Sequence, residues 1–203
     1  GLMQDLDELG MTLFRSVWDG QSWVPLSEVG TVTMGQPPPG STYNEAGLGT
    51  VFYQGVRDFG DRYPTSRVHC TAPTRIADEG DILIAVRAPI GETNVAVERT
   101  AIGRGLAALK ANHPAIALRA LRASDRTWAA HQGTGTVFSS ISGPDLRNAE
   151  VPSVEDADLE IQLRTLDAMH RALAIEIGEL STVRDELLPL LMSGRVRVGD
   201  VAA

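Results

Sequence analysis

The sequence predicts an α+β protein: a globular domain of mixed strands and short helices, with a short N-terminal helix and a long C-terminal coiled-coil helix. Three observations predict it. Leu159, Leu166, Leu173, Leu180 and Leu187 recur every seventh residue, and Gln162, Met169, Glu176, Val183 and Leu190 fill the complementary positions of a heptad. The runs Thr50–Gln54 and Asp81–Val86 carry the β-branched, aromatic and apolar residues that favour strands. At the N-terminus, Leu2, Leu6, Leu9, Leu13, Phe14 and Val17 fall on one helical face ahead of an Asp19-Gly20 stop.

The elements follow in chain order. After the first helix, Gly35-Gln36-Pro37-Pro38-Pro39-Gly40-Ser41 is a loop, because Pro and Gly break both regular periods. Pro114 to Leu121 reads as a helix, and Ser124 and Asp125 can cap another around Trp128. Gly133-Thr134-Gly135 returns the chain to a strand at Thr136-Val137-Phe138. The long helix is expected to start after Pro152, where Ser153 and Asp156 resemble a capping box and four acids complement the positive helix end. Pro189 is expected to kink its last turns before Gly194. From 155 to 188 such a helix reaches roughly 50 Å at about 1.5 Å per residue. The N-terminal helix covers about half of that stripe. A second copy or another protein is expected to cover the rest. Three units result: 1–18, 19–151 and 152–203.

Composition excludes several classes. Length 203 allows one domain and an accessory element. The single cysteine, Cys70, makes neither an internal disulfide nor a Cys-rich metal site, and no apolar run reaches the roughly 18 residues of a membrane span. A cytoplasmic chain with no membrane partner is expected. The net charge of −8 is unevenly spread. Residues 1–31 hold one base and five acids, residues 32–150 twelve and eleven, and residues 151–203 five and ten. A near-neutral middle with twelve cations still accommodates a basic face for a polyanion. Of the 18 cations 17 are arginine, the side chain suited to bidentate contact with guanine or phosphate.

Catalytic clusters are absent from the pattern. His69, His113, His131 and His170 have no ligand spacing, so no metal site is expected. His69-Cys70 is the one nucleophile–base pair on offer, but neighbours in a strand point to opposite faces. Gly103-Arg104-Gly105 and Gly133-Thr134-Gly135 lack the full dinucleotide or P-loop fingerprints and read as tight turns at close backbone contacts. The pattern favours a binding protein.

The segment from Glu79 to Gly91, EGDILIAVRAPIG, followed by AIGRGLAAL at Ala101–Leu109, closely resembles the target recognition domain of specificity subunits from Type I restriction–modification systems. The Gly35–Tyr43 loop leading to Val51-Phe52-Tyr53-Gln54-Gly55 is similar to the family's opening, Gly133–Ile141 before Val151-Pro152 to its close, and Leu180–Arg197 to the end of its conserved helical region. The resemblance spans nearly the whole chain in the right order. It implies a non-catalytic, DNA-binding subunit that directs adenine-N6 methylation by a modification subunit and cleavage by a restriction subunit. S-adenosylmethionine then belongs to the modification subunit and no cofactor to this chain. Family members carry two recognition domains and this chain one, so the resemblance implies either a half-subunit that dimerises or one half of a longer chain.

Candidate contacts with double-stranded DNA are Arg57, Arg62, Tyr63 and Arg67, in a polar loop after the Phe52-Tyr53-Gln54 strand. Arg87 and Arg104, in the family-like motifs, and Thr134, Ser139 and Ser140, as donors to phosphate, complete the set. The helix partner surface is expected at Leu159, Leu166, Met169, Leu173, Leu180, Val183 and Leu187. Trp18, Trp23 and Trp128 are expected in the core. Two other readings stand beside this one: a coiled-coil interaction protein or decoy without DNA binding, and a small cysteine hydrolase built on His69 and Cys70.

Overall fold

The structure, a computed structural model, describes residues 1–123, 126–129 and 140–195. The first helix, α1 (Leu2–Val17), leads through β1 (Trp23–Pro25) and the single turn α2 (Leu26–Val29) into β2 (Gly30–Met34). Five short strands follow: β3 (Tyr43–Asn44), β4 (Thr50–Tyr53), β5 (His69–Cys70), β6 (Ile76–Ala77) and β7 (Ile82–Ala85). Then come β8 (Thr93–Val95), β9 (Thr100–Ile102) and β10 (Leu106–Ala111). The chain closes with α3 (Pro114–Ala123), α4 (Arg126–Ala129), α5 (Gly143–Asn148), β11 (Glu150–Pro152) and α6 (Ala157–Met192). This is the α+β class expected, with the long C-terminal and short N-terminal helices in place.

Two sheets and a helical layer share the core. The first sheet has the order β2-β10-β7-β8 and is antiparallel throughout; the second has the order β3-β5-β4-β9-β6, with β4 and β9 parallel. Strands β7 and β10 are buried on both faces, which explains their near-continuous apolar sequence. Ile82, Ile84, Ala107 and Leu109 pack with Phe14, Leu118, Leu159 and Leu163 from the helices. The alternate residues Leu83, Leu106 and Ala108 pack with Val51, Tyr53 and Ile102 of the second sheet. Period-two alternation thus serves both layers. β1 and β11 pair antiparallel and bring the N-terminal segment beside the start of α6.

Several local expectations change. Asp156, not Ser153, caps α6, its carboxylate accepting from the Leu159 N–H at 2.8 Å. The helix runs through Pro189 to Met192, 36 residues or about 54 Å. The buried face of α1 is Leu6, Gly10 and Phe14, while Leu2, Leu9 and Val17 are exposed. A Cβ on Gly10 would lie 2.8 Å from the Arg119 guanidinium. Trp128 is buried; Trp18 and Trp23 are half-buried and meet edge-on, with the Arg126 guanidinium over the Trp23 ring. The expected caps Ser124 and Asp125 and the Gly133–Phe138 turn and strand lie outside the described residues.

The first turns of α6 belong to the globular core. Leu159 and Leu163 are buried and the half-buried Leu166 packs against the same cluster, so these positions face this chain's own core. Glu160 is buried as well, its two oxygens accepting from the Ala115 and Ile116 N–H groups at 3.2 and 2.9 Å. This carboxylate closes the open amide end of α3 and complements its dipole. Farther along, Ile175, Ile177, Leu180, Val183, Leu188 and Met192 are exposed. Leu173 and Leu187 are half-buried and Met169 exposed.

Candidate nucleic-acid interface

The loop after β4 is shaped by one buried carboxylate. Asp58 Oδ2 accepts from the Gln54 N–H at 2.7 Å, its Oδ1 bonds the Arg67 guanidinium, and its carbonyl accepts from the Thr65 N–H at 2.7 Å. Gln54–Arg67 is thereby closed into a compact loop, with Arg67 aimed by a group that is 4% exposed while Arg67 itself is 45% exposed. The turn Gly103-Arg104-Gly105 packs against the same strand end. Gly103 N–H donates to the Tyr53 carbonyl at 2.8 Å, and a Cβ on Gly105 would stand 2.4 Å from the Gln54 oxygen. These glycines allow close backbone approach, as the turn reading anticipated.

Around this junction lies a cleft of about 410 Å³. Arg57, Arg67, Arg87 and Arg104 line it together with Pro37, Tyr43, Gln54 and Asp58. Four guanidiniums thus face one carboxylate, and that carboxylate is buried and already engaged. Arg57, Arg87 and Arg104 are exposed and make no ion pair among the described residues. Ser140 lies beside Arg87, its backbone paired antiparallel with it, and the next N–H, of Ile141, donates to the Val86 carbonyl at 3.0 Å. Thr134 and Ser139 lie outside the described residues. Arginines as far apart in sequence as Arg57 and Arg104 therefore converge on one cleft.

Arg62 and Tyr63 do not join this cleft and lie instead against α1 and α6. Arg62 is 2% exposed; its guanidinium bonds Asp7 of α1 at 2.6 Å and Asp167 of α6. Asp167 also receives two bonds from buried Arg119 of α3, one at 2.7 Å. Arg122 approaches Asp7 at 3.9 Å and donates to Thr93 Oγ1 at 2.9 Å. Tyr63 meets the His170 ring edge-on, with the Arg171 guanidinium 4.9 Å from its centroid. Arg62 and Tyr63 join the globular head to its helices. Asp7, Asp58, Arg119, Asp167 and His170 were not among the sequence candidates, and nothing local in the sequence marks them.

His170 gives this junction a pH dependence. Burial, and next Arg62, hold its imidazole below the ordinary value of 6.5, against the opposing pull of Asp7 and Asp167. The folded chain therefore favours the neutral ring, while the unfolded chain takes up a proton near 6.5. Stability present above that pH is lost progressively as pH falls from there through the lower value of the folded chain. Urea unfolding from pH 7.5 down to about 5 is expected to show falling stability, with a shallower slope in His170→Gln. An equal slope in the variant contradicts the assignment.

The cysteine offers no nucleophile. Cys70 is fully buried, and burial pushes its thiol up, which keeps it protonated and out of reach of a substrate. Beneath the cleft, burial and the nearby Glu98 and Asp58 charges push the Tyr53 phenol up to about 12. Among the described residues no cluster of three or more metal-ligating side chains is present, and no helix is long and apolar enough to cross a membrane.

No family model matches the chain. It is 32% identical over 173 residues, 82% of its length, to a protein of Methanocaldococcus jannaschii named as the MjaX type I restriction enzyme specificity subunit, of which it covers 41%. A solved chain from work on complex assembly and conformational transition of the type I R-M system superposes with a TM-score of 0.65 at 34% identity, over 93% of this chain and 50% of that one. The crystal structure of the HsdS subunit from Thermoanaerobacter tengcongensis gives a TM-score of 0.63 at 32% identity, over 96% and 52%. The chain spans about half the length of the relatives it matches.

Proposed function

We propose, on the premise that this chain belongs with the specificity subunits of type I restriction–modification systems, that its globular part is a target recognition domain. It grips double-stranded DNA with the arginine-lined cleft. In this reading the chain is a non-catalytic subunit. It places a modification subunit, which carries S-adenosylmethionine, at an adenine N6, and it admits a restriction subunit to the same complex. The exposed distal part of α6 meets either a second copy or the other half of a longer chain, so that two heads read a bipartite site.

One observation carries the reading. Arg57, Arg87 and Arg104 crowd one cleft, exposed and without an ion-pair partner among the described residues. Like charges repel, and a fold gains nothing from such a grouping unless a polyanion neutralises it. The 34% identical chain from the type I complex supports the same assignment.

Fluorescence anisotropy with a mixed-sequence duplex tests it. Each of Arg57→Ala, Arg87→Ala and Arg104→Ala is expected to weaken binding and to lower the slope of log K against log salt by about 1. The triple variant lowers it by about 3. Arg67 is left intact, because its removal strands the buried Asp58 carboxylate. A triple variant with the wild-type slope places the interface elsewhere, and a wild-type chain without salt-dependent binding favours the decoy reading.

A further inference from the structure

We infer that Gln54 reads a base, its amide meeting the major-groove edge of an adenine while the surrounding arginines hold the phosphates. The inference rests on the DNA-binding reading above and names a specificity-determining residue within the same site.

Position comes first. Gln54 follows the last residue of β4 at the cleft, and its backbone is held from three directions. Its N–H donates to the buried Asp58 carboxylate at 2.7 Å, its carbonyl accepts from the Gly105 N–H at 3.2 Å, and the preceding Tyr53 carbonyl accepts from the Gly103 N–H at 2.8 Å. Gly103 and Gly105 press so closely that a Cβ on either would stand 3.1 Å from the Gln54 Cα or 2.4 Å from its oxygen. The side chain, in contrast, is exposed in the cleft, and no group bonds its amide among the described residues. A surface glutamine on a loose loop would be ordinary. Here a buried carboxylate and a Gly-Arg-Gly turn fix the backbone beneath an amide left free to bond, the arrangement a preorganised reader needs.

Chemistry comes second. The four cleft arginines are donors only, sufficient for phosphate oxygens. Gln54 is the uncharged lining side chain that carries a planar donor and acceptor together, matched to adenine N7 and N6. Among the cations, an amide adds little attraction for phosphate and much discrimination between bases.

Selection from a pool of randomised duplexes, using the full chain and its Gln54→Ala and Gln54→Glu variants, tests the assignment. The wild type is expected to enrich a motif containing an A·T pair whose information disappears in Gln54→Ala. Affinity for that motif should fall about 5- to 150-fold, with unchanged affinity for a mixed-sequence duplex and an unchanged salt slope. Gln54→Glu is expected to shift preference at the same position toward cytosine, whose N4 amine donates to a carboxylate. If both variants select the wild-type motif with wild-type affinity, Gln54 is not a reader, although the cleft can still bind DNA. If the wild type enriches no motif, the sequence-specific reading fails together with this one.

Discussion

Asp167→Asn is expected to destabilise the chain by about 3–5 kcal/mol, the cost of breaking a buried ion pair by removing one partner. Asp167 bonds Arg62 and Arg119, which are 2% and 3% exposed, and it shares with Asp7 the compensation of three guanidiniums once Arg122 is counted. Neutralising it leaves three arginines facing one carboxylate in a poorly solvated place. Asparagine keeps the shape, so the loss is electrostatic. Arg62→Ala should cost less, because it lowers the excess of positive charge while it breaks two bonds. Urea unfolding should show a lower midpoint with an unchanged slope for both, in that order. Asp185→Asn, on the exposed part of α6, serves as reference, since its partner Arg184 is 66% exposed. An Asp167→Asn midpoint equal to that of the reference would mean that the junction is held by apolar packing alone.

The second large effect concerns assembly. Leu180 and Val183 are 61% and 50% exposed in the single chain, so Leu180→Asp with Val183→Asp should leave the head's melting temperature unchanged. If a second copy covers this stripe about a two-fold axis, the double variant removes four apolar side chains from the interface at about 1.5 kcal/mol each. Association should weaken about 10⁴-fold. Sedimentation velocity reads this directly, as a dimer for the wild type and a monomer for the variant. A dimer unaffected by both aspartates moves the interface off α6. A wild-type monomer at every concentration rules out the second copy as occupant.

Legibility followed the distance over which each feature is encoded. Thr50–Tyr53, Ile82–Ala85 and the helix from Pro114 announced themselves because composition and period act within a few residues. The two-residue strands β3, β5 and β6 carry no such pattern, and the parallel pairing of β4 with β9 joins residues about fifty apart. The heptad was visible, but its division was not. Leu159 and Leu166 face the chain's own core while Leu180 and Val183 face outward, and the repeat is the same in both stretches. The arginines make the clearest case. Arg57, Arg62 and Arg67 sit in one polar loop, yet Arg62 turns inward to an aspartate 105 positions away, whereas Arg57 and Arg67 line the cleft. Charge alone cannot tell a cation that needs a buried partner from one awaiting an external ligand. Gln54 and Asp58 carry no mark in the sequence for a related reason, since their place at the cleft depends on the backbone that surrounds them.

The fusion of the first turns of α6 with the head, through Leu159, Glu160, Leu163 and the Asp167 ion pairs, leaves no swivel between them. Each residue of an α-helix advances about 1.5 Å and turns about 100°. The compass bearing of the arginine cleft is therefore geared to whatever grasps the distal turns, as a propeller is keyed to its shaft. Evolution can recut the loops around Gln54 without disturbing that bearing. Lengthening the shaft by anything other than nearly whole turns would swing the blade about the shaft axis relative to those distal turns.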